Sequence, residues 1–344
     1  MKRIARARAP LRLGLAGGGT DISSYCDIYG GYVLNATIDR YAYAVIRVLD
    51  EPVVRFHASD RQQTVAVGLQ AAIMLDGALD LHKAVYNYMI LNFNDGKSIP
   101  IEMTTFCDAP PGSGLGSSST LVVAMIKAFI ELLNVYLDDY AIAQLAFHIE
   151  RVECGLQGGR QDQYSATFGG FNFIEFYKNG RTLVNTLRIK EWIRCELESS
   201  IVLYYTGTSR ESANIIDDQT TNIQSGDVGS LEAMHGLKRE ALETKESLLR
   251  GDFSSFSESL LRGWKNKKRT AGGVSNTEID SIYQAAISSG ALAGKVSGAG
   301  GGGFLWFLIP AEKRMCVIRC LNRFGGQVSN CHFTREGAQA WSPT

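Results

Sequence analysis

Pro110-Pro111-Gly112-Ser113-Gly114-Leu115-Gly116-Ser117-Ser118-Ser119 runs directly into the apolar stretch Leu121 to Leu133. A loop of small residues that opens a helix aims several backbone N–H groups at one point, and the helix dipole adds partial positive charge there. Such an arrangement holds phosphate. Alternate glycines let the main chain approach an anion without Cβ interference, while the serines offer hydroxyls to phosphate oxygens or a metal ion. A plain serine cap after a Pro-Gly turn would need fewer of both. The lysine of a GxxxxGK[ST] loop is missing, so this is not a Walker loop. The G-x-G-x-G spacing, like that of Gly14 to Gly19, also departs from the G-x-G-x-x-G of dinucleotide-binding sheets, which disfavours a dehydrogenase.

Two further segments share this character. Pro10-Leu11-Arg12-Leu13-Gly14-Leu15-Ala16-Gly17-Gly18-Gly19-Thr20-Asp21 sets an arginine on a strand and leads through three glycines to a Thr-Asp pair. Alone it also reads as a strand, a turn and an Asp cap. Lys295-Val296-Ser297-Gly298-Ala299-Gly300-Gly301-Gly302-Gly303 has more glycine than a hairpin needs. Close approach of backbone to a ligand explains the excess.

Glycine supplies 36 of the 344 residues, and 35 basic residues balance 35 acidic ones. The formal charge of zero gives no global attraction for nucleic acid or an anionic membrane, so any anion recognition must be local. The longest apolar runs, near Leu121 to Ile126 and Phe304 to Ile309, are far shorter than a membrane span. A soluble protein is expected, with no membrane partner. Arg12 and the glycines after it leave no apolar stretch for a signal peptide. The seven cysteines are scattered, without a CxxC pair, as expected of reduced thiols in the cytoplasm.

Runs rich in β-branched and aromatic residues predict strands at 33–38, 41–49, 53–57, 99–106, 171–177 and 201–205. Apolar residues at three- and four-residue spacing predict helices over 119–135, 139–153, 231–249, 253–265 and 277–289. The end of the chain alternates strand, helix and strand over 303–309, 312–324 and 327–333. The pattern is α+β, with two domains, 1–190 and 191–344.

Together the three glycine-rich segments resemble the GHMP kinases, the family named for galactokinase, homoserine, mevalonate and phosphomevalonate kinases. The motifs stand in the family's order and span nearly the whole chain. The resemblance implies a ribosomal protein S5 domain 2-like N-terminal domain and a ferredoxin-like C-terminal domain, with ATP and substrate meeting between them. It also implies that Pro111, Gly112, Ser113, Gly114, Leu115, Gly116, Ser117, Ser118 and Ser119 form the nucleotide-phosphate loop. The wording around Gly17-Gly18-Gly19-Thr20-Asp21, Gly30 to Ile38 and Gly158-Gly159-Arg160-Gln161-Asp162-Gln163-Tyr164 is most similar to family members that act on D-glycero-D-manno-heptose 7-phosphate. Phosphorylation of the anomeric hydroxyl to a 1,7-bisphosphate, toward nucleotide-activated heptose for surface polysaccharide, is the implied reaction. Another sugar 1-kinase, such as a fucose-type enzyme, and a non-catalytic nucleotide-binding homologue are the alternatives.

The same resemblance assigns Asp162 beside the acceptor hydroxyl, as base or orienting group, and Arg12 next to it. It gives Ser118 and Glu150 to Mg2+, with Glu153 as the competitor of Glu150. Gly18, Gly19, Thr20, Asp21, Gly300 and Gly301 fall on the substrate side. Arg160 and Arg210 are candidates for the 7-phosphate. The basic run Lys265, Lys267, Lys268 and Arg269 reads as a solvated helix end, and the histidines carry no metal or triad spacing. A small-molecule sugar phosphate is the expected partner, and a homodimer is left open.

Overall fold

The computed structural model describes residues 3–208 and 212–343. Strand β1 (Ile4–Ala16) buries Ala5, Ala7, Ala9, Leu11 and Leu13, the every-second-residue pattern of a strand with one face on the core. It pairs antiparallel with β2 (Gly31–Val48), and the register shifts between Pro10 and Arg12. Pro10 has no N–H for the ladder. Beyond that bulge the Arg12 N–H turns out of the β1–β2 ladder and donates to the Leu115 carbonyl at 3.1 Å. The irregularity thus ties the Pro10–Asp21 segment to the glycine-rich loop before the helix that starts at Ser117.

Two strands were expected over 33–49, but β2 is continuous. Asp39 and Arg40 are polar without being backbone breakers; what changes there is the partner. The first half of β2 pairs with β6 (Phe171–Phe176), the second with β5 (Ile101–Cys107). Among the described residues, eight strands make this sheet in the order β12-β1-β2-β5-β3-β4, where β3 is Val53–Ala58, β4 Gln63–Gly68 and β12 Gln339–Trp341. β7 (Thr182–Thr186) extends it beyond β6. Helices α2 (Asp80–Phe93), α3 (Ser117–Leu133) and α4 (Asp139–His148) cover one face, burying Val85, Met89, Val122, Met125 and Phe129 against Ala44, Ile46 and Met103. Two short helices, α1 (Ser23–Tyr29) and α5 (Gln161–Phe168), flank the cleft described below.

A second sheet takes the order β11-β8-β10-β9 from Gln327–Asn330, Ile201–Tyr205, Phe304–Leu308 and Ala293–Val296. Around it pack α6 (Glu191–Ser200), α7 (Ser212–Gln224), α8 (Val228–Arg250), α9 (Phe253–Thr270), α10 (Thr277–Ser288) and α11 (Arg314–Leu321). The architecture is α+β. One apolar cluster spans both sheets, joining Leu11, Leu13 and Leu34 to Leu203, Trp306 and Leu248. The chain changes sheet between β7 and β8, and β12 returns from the C-terminal side to pair with β1 at Arg6 to Arg8. Helix α9 runs past the expected end at Lys265 to Thr270, because no breaker precedes Gly272-Gly273.

Candidate active site

The loop between β5 and α3 places Gly112, Gly114 and Gly116 at φ of 71°, 82° and 79°. These left-handed values suit glycine and turn the chain back on itself repeatedly. A Cβ on Gly114 would stand 2.3 Å from the Ser297 carbonyl oxygen, and one on Gly298 would stand 2.8 Å from the Gly114 Cα. The segments 110–119 and 295–303 therefore touch backbone to backbone. A side chain on either would push them apart.

Arg12 joins all three segments. Its Nε donates to Asp162 Oδ1 at 2.7 Å, and its Nη1 donates to the Gly114 carbonyl at 2.5 Å and the Ser297 hydroxyl at 3.3 Å. Ser297 Oγ in turn donates to the same carbonyl at 2.8 Å. The Arg12 side chain is almost fully buried, whereas that of Asp162 keeps 21% exposure and faces the cleft. A Cβ on Gly116 would meet the Asp162 carboxylate at 3.0 Å, so the missing side chain leaves the carboxylate beside the N-terminus of α3.

Glu150 lies on a π-helical turn, Ile149–Glu153, that follows α4. Ser118 Oγ donates to Glu150 Oε1 at 3.0 Å. Gln163 Nε2 donates to Glu150 Oε2 at 2.5 Å and to Ser119 Oγ at 3.1 Å. The carboxylate is buried among these neutral donors, and the nearest guanidinium, Arg151, lies 4.0 Å away. One carboxylate and one hydroxyl suffice for magnesium, which takes its other oxygens from phosphate and water. These residues fit such an ion. Glu153 instead meets His148 at the surface.

Asp21 lines the cleft, and both of its oxygens accept from protein: Oδ1 from the Gly19 N–H at 2.9 Å and Gln161 Nε2 at 3.3 Å, Oδ2 from the Gln161 N–H at 3.1 Å. It anchors the start of α5, the helix that carries Asp162. Thr20 does not reach the cleft; its buried hydroxyl donates toward the Gly17 and Tyr32 carbonyls and accepts from the Tyr32 N–H. Gly19, not Gly18, lines the space, since the Gly18 carbonyl is turned to Lys267.

Several of the expected residues lie off the cleft. Arg160 is paired with Asp27 at 2.9 Å, donates to Ser23 Oγ at 2.9 Å and lies over the Phe147 ring, so it does not line the cleft. Gly300 and Gly301 face Val274: the Gly301 N–H donates to its carbonyl at 2.9 Å, and a Cβ on Gly300 would strike it. Gly298 and Ala299 line the cleft in their place. Leu115 is a core side chain, Ser113 is fully buried, and Pro111 borders a second cavity of about 330 Å³. That cavity also takes in Leu79, His82 and Leu121, and it shares Ser117, Ser118 and Leu156 with the first cleft, of about 240 Å³. Arg210 lies outside the described residues.

Lys267 was read as part of a solvated helix end, yet it is 4% exposed and lines the cleft. The signal was in the helix register, because Phe256, Leu260, Trp264 and Lys267 share the buried face of α9. Burial brings its ammonium down to about 8, with Asp21 opposing and Arg12 reinforcing the shift. Lys295, buried behind it on β9, is brought down to about 7 by burial, aided by Lys267 and Arg12 and opposed by Glu240. Gln163 and Ser297, the residues that hold Glu150 and the loop contact, were also passed over.

Residues 80–170 match the model of the GHMP kinases N terminal domain, and 244–325 match that of the GHMP kinases C terminal. Over 341 residues, covering 99% of each chain, the protein is 47% identical to D-glycero-alpha-D-manno-heptose 7-phosphate kinase of Campylobacter jejuni. It belongs to the GHMP kinases. Kinases of this family use ATP, and this one is a phosphotransferase with an alcohol acceptor. The crystal structure of a D-glycero-D-manno-heptose 1-phosphate kinase from Bacteroides thetaiotaomicron matches this GHMP kinase with a TM-score of 0.84 at 42% identity, covering 99% of each chain. Lactococcus lactis galactokinase, solved with galactose, shares the fold, with a TM-score of 0.76 at 18% identity, over 98% of this chain and 95% of that one. No helix among the described residues is long and apolar enough to cross a membrane.

Proposed function

We propose that this GHMP kinase transfers the γ-phosphoryl group of ATP to the anomeric hydroxyl of D-glycero-D-manno-heptose 7-phosphate, giving the 1,7-bisphosphate. Full-length identity of 47% to the Campylobacter enzyme supports the substrate, and the Arg12–Asp162 pair beside the glycine loop carries the chemistry. In this reading the N–H groups of Gly112 to Ser119 hold the ATP phosphates, and the cavity around Leu79 and Leu121 takes the nucleoside. Asp162 accepts a hydrogen bond from the sugar's anomeric hydroxyl and aims its oxygen at the γ-phosphorus. Arg12 fixes the carboxylate through Nε and adds positive charge beside the transferring group. Magnesium held by Ser118 and Glu150 would neutralise phosphate charge when bound. Gly19 and the remaining lone pairs of Asp21 border the sugar. Residues 1–190 supply the phosphate loop and the carboxylates, and the unit 191–344, whose strand β12 pairs back into the larger sheet, closes the acceptor side. A cytoplasmic enzyme acting on a small molecule, with no nucleic-acid partner, fits this chemistry.

The test is coupled ADP release across heptose 7-phosphate, free heptose, fucose, galactose and mevalonate. Heptose 7-phosphate should give the highest kcat/KM. A higher value for another acceptor would reject the assignment.

A further inference from the structure

One cation in the cleft has no task in the phosphoryl-transfer reading. Lys267 Nζ donates to the Gly18 carbonyl at 3.1 Å, the one acceptor found for it among the described residues, although an ammonium has three protons. The other cations lining the cleft are committed. Arg12 holds Asp162 and Gly114, and Arg151 donates to the carbonyls of Leu156, Gln157 and Gly159. What brings Lys267 to the cleft is an absent side chain. A Cβ on Gly19 would stand 2.9 Å from its Nζ and 3.9 Å from Gln219 Oε1.

The hydrogen bonds fix which way Gln219 points. Thr270 has one hydroxyl proton, and it goes to the Lys267 carbonyl at 2.8 Å. Thr270 therefore accepts from Gln219 Nε2, at 2.7 Å. This leaves Gln219 Oε1 buried without a partner, on a side chain that lines the same cleft as Lys267. An ammonium with free protons and an unpartnered amide oxygen thus flank Gly19 in the cleft.

We propose that Lys267 binds the phosphate the acceptor already carries, while Gln219 Oε1 accepts a hydrogen bond from a hydroxyl of the same molecule. The inference rests on the sugar-phosphate reading above and names the residues that tell a sugar phosphate from a free sugar. A phosphate dianion leaving water needs a cationic donor, and charge-assisted bonds of this type are the strong ones. The charged groups around Lys267 are Asp21, which favours the ammonium, and Arg12 and Lys295, which oppose it.

The experiment compares wild type, Lys267→Met and Lys267→Arg with heptose 7-phosphate and free heptose as acceptors, each protein checked by thermal melting. In Lys267→Met the ratio of kcat/KM for the phosphorylated over the free sugar should fall by roughly 10- to 100-fold, and Lys267→Arg should restore part of it. In wild type, kcat/KM for heptose 7-phosphate should decline above about pH 8 as the ammonium loses its proton, and that limb should be missing in Lys267→Arg. An unchanged ratio in Lys267→Met, or equal loss with both acceptors, overturns the assignment and leaves the function standing. A wild-type enzyme that ignores heptose 7-phosphate overturns both.

Discussion

Asp162 and Glu150 are carboxylates in one cleft with different neighbours. Asp162 is held by a guanidinium and keeps an exposed edge, so a hydroxyl can reach it. Asp162→Asn keeps the shape and removes the charge; kcat should drop by roughly a hundred- to ten-thousand-fold with little change in ATP affinity, measured by steady-state kinetics and nucleotide titration. Glu150 is held by neutral donors. Glu150→Ala should raise the magnesium concentration needed for half-maximal rate, and an unchanged magnesium titration would remove the ion from this site. Lys267 adds a stability effect. Its folded-state value is lowered to about 8, so between that pH and the ordinary lysine value the unfolded chain holds more protons and stability rises with pH. Below about pH 8 the buried ammonium is a standing cost. Lys267→Met should therefore raise Tm at pH 7, by a margin that shrinks as pH climbs through the window above 8.

At the scale of elements, the site depends on irregular backbone between regular pieces. The loop before α3 approaches Ser297 so closely that Gly114→Ala should lower kcat/KM for ATP by roughly tenfold or more, since a left-handed φ and a backbone clash combine. Gly155→Ala is the matched control: it too has a positive φ, 63°, but nothing lies near its Cβ. Equal effects at the two positions would refute the contact argument. These loops were legible because glycine spacing and serine hydroxyls are local signals. The pairing of Arg160 was not legible, because its partner, Asp27, is 133 residues away and nothing near Arg160 announces it. Lys267 was misjudged at a helix end placed five residues short, which cut it off from the face it shares with Trp264. The π-helical turn under Glu150 has no marker in the sequence, and the spacing pattern continues smoothly through it.

For the whole molecule, the order of motifs along the chain was enough to set the fold class and the convergence of three distant segments. Sequence did not show how the sheets share material. Leu11 and Trp306 lie in one apolar cluster, and β12 crosses back to the first strand. Stopping the chain after Ala338 would remove the pairings of Arg6, Ala7 and Arg8 with Trp341, Ala340 and Gln339, as well as the Ser342–Glu131 hydrogen bond. Tm should fall by several degrees, with more light scattering near the transition; an unchanged melt would show that β12 adds nothing.

That returning strand also has a kinetic side. On the ribosome the edge of β1 stays open until residue 341 has been made, so a nascent chain carries an unpaired edge for almost the whole of its synthesis. An open edge invites pairing with a neighbouring chain, and charged side chains discourage it. Arg6 and Arg8 stand on that rim, guarding it until its own last strand arrives.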